Sequence, residues 1–510
     1  MMHLALGIAA SLCLFQAPSG PSFASRAPNG TMVIVGGGDI PPGAEKSFVE
    51  AARAGANHLV VIPSASASAN EKPLDSWKKP FDGKVGSVSV LHAANRAQAM
   101  NKDFSAILGK ASAIWISGGD QKRLESLYVG TPVESAIISL LERGGTVGGT
   151  SAGAAILSGT MITGGTNDPE FGKGFNLLNR VVIDQHFSQR GREKRLSKAV
   201  LAHPDHAGLG IDESTAVVIR GRQIEVVGAG RAWWFTVSEG KIATASLGPG
   251  ERDDLVRLHR AAFATKPVPS GRPVIGKGAI MAVGGGGMGP EVAKKFIQLA
   301  GGNDANIVIL PTAAPETSPV KQGEQAKSML AKGGNARFKV LPSSKPREVD
   351  SEEYLMAIAS ASGVWFGGGR QWRFVDAYEG TRFEASLRAV LDRGGVIGGS
   401  SAGATILGEY LCRGGPLGNA EIMVPGYDRG FAYLKGVGID QHFSQRKRFS
   451  DMERFTKIRQ DFLGIGIDEA TALVVTPHGA EVLGPGKVHV YRGGKQTGAH
   501  AAGEKVSLSP

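Results

Sequence analysis

The chain has 510 residues, of which 42% are hydrophobic and 20% are charged. This composition excludes an intrinsically disordered chain, and at roughly 150 residues per domain the length predicts two to four compact units. The 73 glycines are about double the usual share of roughly 7%, but they show no G-X-Y period, which excludes collagen. Despite a net charge of +11, we expect no nucleic-acid partner, because the sequence has no basic run with interleaved aromatic residues and no zinc-finger or RNA-recognition signature.

The N-terminal segment is typical of a secretory signal peptide. Residues 4–15 form an apolar run that is too short to span a bilayer, and Ser-Phe-Ala at 22–24 has the small-x-small pattern of a cleavage site. We predict a signal peptide over 1–24 and a secreted or periplasmic mature protein. Because the run is preceded by no Lys or Arg, the alternative is an apolar leader on a cytoplasmic protein. No membrane span is expected further along the chain, and Cys412 has no disulfide partner once Cys13 is removed.

Beyond this leader, strand-like and helix-like segments alternate. The β-branched runs at 33–35, 59–62 and 114–116 each have a Gly or Pro within two residues of their end, and a helix-like stretch at 44–53 comes after the first run. Apolar strands that alternate with helices predict a three-layer α/β domain, in which a mainly parallel sheet is covered on both faces. In such sheets the chemistry gathers at the carboxyl ends of the strands.

The same motifs occur twice in the same order, so the domain is duplicated in tandem. We predict one copy over 25–265, a Pro/Gly-rich linker over 266–278 and a second copy over 279–510. The matching stretches are 33–38 with 281–286, 60–63 with 308–311, 115–121 with 365–371, 148–154 with 398–404, 183–190 with 439–446, and 210–213 with 466–469.

Ser151 lies in a Gly-Thr-Ser-Ala-Gly motif at 149–153. A strand-like stretch at 144–148 precedes the motif and a helix-like one follows it at 154–157, which is the context of a nucleophile elbow. The glycines allow the sharp turn that holds such a serine in a strained conformation. Ser401 has the same context. We therefore predict both serines as nucleophiles; the alternative is a glycine-rich turn without a catalytic role.

A serine hydroxyl needs an adjacent base, usually a histidine. Of the 11 histidines, only His186 and His442 recur at equivalent positions of the two copies. We predict that they are the bases. Since an ordinary imidazole has a pKa of about 6.5, activity is expected to fall below about pH 6.

The histidine also needs a carboxylate that fixes its tautomer. Glu213 lies 27 residues beyond His186 and next to Asp212, and the same acidic pair recurs at 468–469. Adjacent side chains on an extended segment face opposite sides, so only one acid of each pair can reach the histidine. Spacing does not decide which one, and Asp184, two residues before His186, is a further candidate.

The order serine, histidine, acid differs from that of the α/β-hydrolases, which is serine, acid, histidine. The assembled motifs instead resemble the serine peptidase family that contains the cyanophycinases and the aspartyl dipeptidases. In the first copy the resemblance rests on 118–121, 149–154, 184–195 and 210–213. It implies two tandem domains that are similar to class I glutamine amidotransferases, with serine in place of cysteine.

The resemblance also implies the roles of individual residues. It favours Glu213 over Asp212 as the acid of the first site. The implied triads are Ser151, His186 and Glu213, and Ser401, His442 and Glu469. The implied oxyanion-hole residues, whose backbone N–H groups would stabilise a tetrahedral intermediate, are Gly119 and Ala152 in the first copy and Gly369 and Ala402 in the second.

Cyanophycinases cleave a polymer with a poly-aspartate backbone and arginines on its β-carboxyls, and they release β-Asp-Arg dipeptides. Arginines near the predicted base suit carboxylates, since a guanidinium offers a bidentate fork, and nearby amide or acidic groups suit the substrate's guanidinium. A solvated basic helix face is the alternative for the arginines. The predicted substrate-binding residues are Gln121, Asp184, Gln185, Arg190, Arg192 and Arg195.

The second copy departs from this pattern at two positions. Asp451 replaces the arginine at 195, and Arg370 replaces Asp120. We expect the first site to be the better candidate for polymer hydrolysis, and the second to be catalytic with altered specificity or mainly structural. The two linked copies are expected to form an intramolecular pseudo-dimer.

Three functions are compatible with these features. The favoured one is a serine peptidase that hydrolyses cyanophycin through an acyl-enzyme. An aspartyl or isoaspartyl dipeptidase of the same family is the second, and a non-catalytic extracellular binding protein is the third. We expect a peptide substrate. The glycines at 36–38 lack the full G-x-G-x-x-G spacing and no metal-ligand motif is present, so we expect no cofactor and no metal.

Overall fold

The computed structural model describes residues 27–238, 240–263 and 267–508. The predicted signal peptide lies outside the described residues. The described chain divides into two units, one ending at residue 263 and the other starting at residue 267. None of the helices among the described residues combines the length and apolarity that a bilayer span requires.

The first unit alternates strands and helices up to β9 and then continues mainly as strands. Its strands are β1 Thr31–Val35, β2 His58–Ile62, β3 Ser87–Val90, β4 Ala113–Ile116, β5 Thr146–Thr150, β6 Thr160–Gly164, β7 Glu170–Lys173, β8 Val181–Gln185, β9 Ala207–Ile211, β10 Thr215–Arg220, β11 Gln223–Gly228, β12 Ala232–Ser238, β13 Lys241–Leu247 and β14 Arg252–Asp254. Its helices are α1 Pro42–Arg53, α2 Arg96–Ala99, α3 Lys102–Lys110, α4 Gln121–Tyr128, α5 Pro132–Glu142, α6 Ala152–Ala155, α7 Glu193–Ala202 and α8 Leu255–Phe263.

The main sheet of this unit has the strand order β3-β2-β4-β5-β1-β10-β11-β14. The strands from β3 to β1 are parallel, whereas β10 runs antiparallel to β1. Val35, the last residue of β1, pairs with Thr150 on one side and with Ala216 on the other. The carboxyl ends of β1 and β5 and the amino end of β10 therefore lie side by side at the same end of the sheet.

A second sheet, in the order β13-β12-β9-β8, brings two further strand ends together. In it β8 and β9 are parallel, and Gln185 pairs with Ile211. Residues 186 and 212–213 follow directly on these ends. The register therefore places the predicted base next to the predicted acids.

The main sheet is buried on both faces, which confirms the predicted three-layer α/β class. Along β1, Met32 and Ile34 belong to one apolar cluster, which includes side chains of α3 and α5. Val33 and Val35 belong to another, which includes side chains of α1. All four side chains are inaccessible to solvent. Burial on both faces explains why the strands read as continuous apolar runs rather than as alternating patterns.

The second unit repeats this arrangement. Its strands are β15 Ala279–Val283, β16 Asn306–Leu310, β17 Arg337–Val340, β18 Gly363–Phe366, β19 Val396–Ser400, β20 Gly408–Tyr410, β21 Leu434–Gln441, β22 Leu463–Ile467, β23 Ala472–Thr476, β24 Gly479–Leu483, β25 Val488–Arg492 and β26 Lys495–His500. Its helices are α9 Pro290–Leu299, α10 Pro319–Leu330, α11 Pro346–Val349, α12 Glu352–Ser360, α13 Trp372–Tyr378, α14 Arg382–Asp392, α15 Ala402–Thr405 and α16 Phe449–Ile458.

The sheet orders of the second unit, β17-β16-β18-β19-β15-β23-β24 and β20-β21-β22-β25-β26, match those of the first in their central parts. One difference lies close to the predicted site. Where the first unit has the β6–β7 hairpin, the second has an irregular loop over 411–433. Part of the predicted linker, 267–278, packs within the second unit: the Ser270 backbone N–H donates to the Glu409 carboxylate at 2.9 Å.

Candidate active site

Ser151 stands on a sharp turn between β5 and α6. Its backbone has φ 53° and ψ −113°, a conformation that non-glycine residues rarely adopt, as the elbow motif predicts. The flanking glycines permit the turn. A Cβ on Gly149 would lie 2.2 Å from the Gly153 carbonyl oxygen, and one on Gly153 would lie 2.1 Å from the Ile116 carbonyl oxygen. The Ser151 hydroxyl is thereby held at the carboxyl ends of the parallel strands.

The structure brings Ser151, His186 and Glu213 into one hydrogen-bonded chain. Ser151 Oγ lies 2.8 Å from His186 Nε2, and His186 Nδ1 lies 2.5 Å from Glu213 Oε1. The imidazole is largely buried, whereas 36% of the Glu213 side chain is exposed. A proton on Nδ1 donated to the carboxylate leaves Nε2 free to accept the serine proton. This geometry is that of a base-activated nucleophile.

His186 is held by the glycines that follow β1. Its backbone has φ 48°, and its N–H donates to the Gly36 carbonyl oxygen at 2.7 Å. The imidazole lies over Gly37, where a Cβ would be 2.2 Å from the ring carbon Cε1. The sequence alone indicates no role for the glycines at 36–38. In the structure they leave room for the predicted base.

The two acids of the pair at 212–213 have separate roles. Glu213 contacts His186, whereas the Asp212 carboxylate accepts the backbone N–H groups of Ser188 at 3.1 Å and Arg231 at 2.9 Å. The tertiary structure thus decides what spacing left open, and it agrees with the choice that the family resemblance implies. Asp212 fixes the segments on either side of the acid instead of contacting the base.

Gln189 is a site residue that the sequence reasoning missed. Its side-chain oxygen accepts the Glu213 backbone N–H at 2.9 Å, so it fixes the backbone that carries the acid. Gln445 bonds the Glu469 N–H in the same way at 3.0 Å. Recurrence of this glutamine at equivalent positions of both copies was the signal that could have identified it.

The second unit contains the same arrangement. Ser401, with φ 57°, lies with its Oγ 3.0 Å from His442 Nε2, and His442 Nδ1 lies 2.6 Å from Glu469 Oε1. Gly285 provides the space for the imidazole of His442, since a Cβ there would lie 2.3 Å from its Cε1. Both units therefore hold a serine, a histidine and a glutamate in hydrogen-bonding reach.

Burial lowers the pKa of His186 from its ordinary value of 6.5; the hydrogen bond to Glu213 opposes this, and the positive charge of Arg190 adds to it. Burial likewise lowers the pKa of His442. A lower pKa keeps the imidazole neutral, and so able to accept a proton, at pH values below 6.5.

The predicted oxyanion-hole amides lie beside the serines. A Cβ on Gly118 would be 3.4 Å from Ser151 Cβ, so the turn that carries Gly119 packs against the nucleophile. Within the described part of the chain, the N–H groups of Gly119 and Ala152 have no hydrogen-bond acceptor. The same holds there for Gly369 and Ala402. These N–H groups are free to bind a developing oxyanion.

Asp184 was predicted as a substrate contact and as a possible partner of the base, and both predictions are wrong. It is fully buried and is held by Arg195 and Arg192; the Arg195 Nε lies 3.0 Å from Asp184 Oδ2. His186 has φ 48°, so the chain leaves the extended conformation after β8, and residues 184 and 186 no longer share a face. A buried carboxylate is stable here because guanidinium groups neutralise it.

Two further predicted substrate contacts, Gln185 and Arg195, need correction because their side chains are also buried. Arg195 is buried on Asp184, and Arg192 bonds to Asp184 and to both the backbone and side-chain oxygens of Gln185. Burial lowers the pKa of Arg192 to about 10. The Gln121 amide donates to the Ile162 carbonyl oxygen at 2.9 Å. Gln121 and Arg192 are half-buried and Arg190 is exposed, so for these three the substrate contact stays a prediction.

The second unit neutralises its equivalent carboxylate, Asp440, with a different arginine. Arg413, from the loop 411–433, donates from Nε to Asp440 at 2.9 Å and from Nη2 to Asp451 at 2.6 Å. Arg448 donates to Asp440 at 2.7 Å, as Arg192 does to Asp184 in the first unit. The exchange of arginine for aspartate at 451 is thus compensated by an arginine from elsewhere in the chain.

Arg370, the other reversed charge, serves the same loop. Its guanidinium donates to the carbonyl oxygens of Gly415 and, at 2.6 Å, of Gly418. Its neighbour Gln371 donates to the Cys412 carbonyl oxygen at 2.7 Å, much as Gln121 holds the β6–β7 hairpin. Arg370 therefore holds the loop that carries Arg413.

One group of side chains among the described residues could hold a metal ion. It comprises His203, Asp205 and His206, whose potential ligand atoms lie within 4.8 Å of one another. The group follows the carboxyl end of α7, whereas the segment 186–192 precedes its amino end. It has no part in the serine site. The expectation of no metal or cofactor stays a prediction.

Comparison with known proteins identifies the family. The model described as peptidase family S51 matches residues 31–227 and, separately, residues 280–483. The chain belongs to peptidase family S51. This confirms the family indicated by the sequence motifs, and the chain is a serine-type peptidase with one family region in each unit.

Similar proteins include two cyanophycinases. That of Geminocystis herdmanii is 34% identical over 215 residues, which cover 39% of this chain and 76% of the relative. That of Nostoc sp. is 36% identical over 229 residues, covering 41% of this chain and 75% of the relative. A peptidase from an acI-B1 Actinobacterium, known from its crystal structure, aligns at 25% identity with a TM-score of 0.38, over 45% of this chain and 98% of that chain.

Proposed function

We propose that this S51 peptidase hydrolyses the backbone peptide bonds of cyanophycin to β-Asp-Arg dipeptides, with Ser151 as nucleophile, His186 as base and Glu213 as orienting acid. The observation that carries the proposal is the Ser151–His186–Glu213 hydrogen-bonded chain, with distances of 2.8 and 2.5 Å. Its close recurrence at Ser401 argues against a binding protein that has lost turnover.

In the proposed reaction, Ser151 Oγ attacks the carbonyl carbon of the scissile bond while its proton passes to His186 Nε2. The N–H groups of Gly119 and Ala152 stabilise the resulting oxyanion. His186 then returns the proton to the leaving amine, and an acyl-enzyme remains on Ser151. Water, activated by the same imidazole, hydrolyses this ester and restores the serine.

The substrate is the finer part of the proposal. The similar proteins described as cyanophycinases support the polymer, and exposed Arg190 beside the base suits the free carboxylate of an arginine that the polymer carries. Burial of Asp184 and Arg195 removes two of the groups that would recognise it. An aspartyl or isoaspartyl dipeptidase, which needs fewer substrate contacts, is therefore the second candidate.

Serine substitutions test the mechanism and the use of each site. Ser151→Ala, Ser401→Ala and the double variant are incubated with cyanophycin, Asp-X dipeptides and β-Asp-X dipeptides. Removal of a triad serine lowers kcat by about 10⁶, so each single variant reports the activity of the remaining site. We expect both sites to hydrolyse peptides and the double variant to be inactive. A double variant as fast as the parent would disprove the serine mechanism.

We also propose that the protein is exported and that its two copies form an intramolecular pseudo-dimer. The apolar run at 4–15 and the repeated motifs support these proposals. N-terminal sequencing of the protein recovered from the source cells tests export: we expect a mature chain that begins at Ser25, and a chain that retains the leader contradicts the proposal.

Limited proteolysis between residues 263 and 279, followed by sizing, tests the pseudo-dimer. Copies that separate after cleavage contradict it.

A further inference from the structure

Two histidines and an aspartate lie close together after helix α7 of the first unit. One potential ligand atom comes from each of His203, Asp205 and His206, and these atoms lie within 4.8 Å of one another. The His206 Nδ1 lies 2.9 Å from Asp205 Oδ1, and the ring centroids of His203 and His206 are 5.5 Å apart. Both histidines are half-buried and the aspartate is exposed, so solvent reaches the group.

The spacing of this group suits a small metal ion. Zn²⁺ binds imidazole nitrogen and carboxylate oxygen at about 2.0–2.2 Å, which places the ligand atoms of a tetrahedral site about 3.4 Å apart. The distances here, 2.9 Å for one pair and at most 4.8 Å for any pair, bracket that value. Small rotations of the side chains therefore bring all three ligand atoms to one ion, and water can complete the coordination.

Thr160 orients the imidazole of His206. The Thr160 Oγ1 lies 3.2 Å from His206 Nε2, whereas Nδ1 of the same ring faces Asp205. A ring protonated at Nε2 donates to this hydroxyl and leaves the lone pair on Nδ1 for a metal. Metal-binding histidines generally donate their other N–H to such a partner, which fixes the tautomer. Phe171 packs against the other imidazole, His203, with ring centroids 4.8 Å apart.

The second unit places a cation of its own at the equivalent turn. The backbone conformation is the same, with ψ 71° at His203 and 70° at Arg459. Arg459, Asp461 and Phe462 stand at the positions of 203, 205 and 206. The Arg459 guanidinium donates to both carboxylate oxygens of Asp461, at 3.0 and 2.7 Å, and lies 4.5 Å from the ring centroid of Phe462. The aspartate of this turn is thus paired with a positive charge that the chain supplies.

The composition of the first-unit group favours a transition metal over a hard cation. Asp205 is its single carboxylate, and the positive charge of Arg180 acts on that carboxylate. Mg²⁺ and Ca²⁺ bind through oxygen ligands and depend on carboxylates. Zn²⁺, Ni²⁺ and Cu²⁺ bind neutral imidazole nitrogen well, so two histidines hold them with little negative charge in the group.

We propose that His203, Asp205 and His206 bind one divalent transition-metal ion, and that Arg459 takes the place of this ion in the second unit. The ion fixes the turn after α7 as the guanidinium does. The site is independent of the proposed peptidase function, because the ten residues of α7, about 15 Å of helix, separate it from the segment 186–192. It departs from the expectation of no metal, which rested on sequence motifs.

Calorimetric titration of the untagged full chain with ZnCl₂, after dialysis against a chelator, tests the site. We expect one equivalent of Zn²⁺ per chain and much weaker binding of MgCl₂. His203→Arg/His206→Phe, which introduces the residues of the second unit, should remove this equivalent. Thr160→Val should weaken zinc binding by about 10–100-fold, since it removes the partner of the His206 ring. A parent that binds no stoichiometric Zn²⁺, or a double variant that keeps the full equivalent, would overturn the proposal.

The catalytic histidines are the control for zinc bound elsewhere. His186→Ala/His442→Ala removes both catalytic imidazoles and should keep the full equivalent of Zn²⁺. Loss of the equivalent in this variant would assign the ion to the serine sites and overturn the proposal. The same variant should lose cyanophycin hydrolysis under the proposed function. Zinc binding by a parent that hydrolyses nothing therefore keeps the metal site and rejects the peptidase, whereas hydrolysis without zinc binding rejects the metal site alone.

Discussion

The two units hold the same buried carboxylate in different ways. In the first, Asp184 is neutralised by two arginines from its own following segment, 192 and 195. In the second, Asp440 keeps the arginine at 448 but takes its other partner, Arg413, from a distant loop that also binds Asp451. The cluster carries one net positive charge in the first unit and none in the second. The fold therefore requires neutralisation of this carboxylate, not an arginine at one position.

The serine sites, by contrast, are alike to within a few tenths of an ångström. Ser–His distances are 2.8 and 3.0 Å, and His–Glu distances are 2.5 and 2.6 Å. Reversed charges nearby have left this geometry intact, since Arg413 neutralises Asp451 and the carbonyl oxygens of Gly415 and Gly418 accept from Arg370. We infer that the two units share their chemistry.

Exchange of the acid is expected to have the largest effect. In the Ser401→Ala protein, Glu213→Gln should lower kcat by about 10⁴, because the amide no longer stabilises the imidazolium or its tautomer. Asp212→Asn, which removes a charge that holds backbone N–H groups, should cost far less. Steady-state rates of cyanophycin hydrolysis decide between the two assignments. Equal losses for the two variants would contradict the assignment of Glu213. The ranking should repeat with Glu469→Gln and Asp468→Asn in the Ser151→Ala protein.

Loss of Arg413 should destabilise the second unit. Arg413→Ala leaves Asp440 short of a buried partner and should lower the free energy of unfolding by about 3–5 kcal/mol. Adding Asp451→Arg recreates the arrangement of the first unit and should recover most of the loss. Denaturant unfolding of the full chain measures both variants. If the double variant is no more stable than Arg413→Ala alone, an arginine at 451 does not compensate for the loss of Arg413. That result would contradict the exchange proposed between these two positions.

A methyl group under the base should disturb catalysis without unfolding the chain. Gly37→Ala places a Cβ within 2.2 Å of the His186 ring at a φ of 107° and should lower kcat by about 10² through displacement of the imidazole. Gly285→Ala should act likewise on the second site. Gly144→Ala is the control, since Gly144 also has positive φ but no atom within 4 Å of an added Cβ. Comparable losses of activity for Gly37→Ala and Gly144→Ala would show that backbone strain alone is responsible.

The smallest effect is expected on the pH profile. Activity needs neutral His186, so it falls as pH drops through the pKa of that residue, which lies below 6.5. Arg190→Gln removes a positive charge that disfavours the imidazolium, so the pKa rises and the acid limb of kcat/KM moves up by less than about one pH unit. Arg190→Lys keeps the charge and should leave the limb in place. A downward shift for Arg190→Gln would contradict the electrostatic assignment.

Much of the site follows from sequence because its parts are local and repeated. Ser151 is identified by the turn around it, and His186 by recurrence at 442 in a chain with 11 histidines. The arginines were harder to assign. Proximity to the base in sequence predicted that Arg195 meets substrate, yet it lies on the helix face that turns inward to Asp184. Sequence distance does not report which face of α7 is buried.

The sequence by itself determined the duplication, the α/β class, the nucleophile and the base, because these depend on the order of motifs and on apolar periodicity along the chain. The tertiary structure decided that Glu213 rather than Asp212 or Asp184 meets the base, that glycines at 36–38 make room for the ring, and that Arg413 replaces an arginine lost elsewhere. Each of these depends on distances of a few ångströms between segments far apart in sequence. Strand register and side-chain packing set such distances, and neither is written in the spacing of residues.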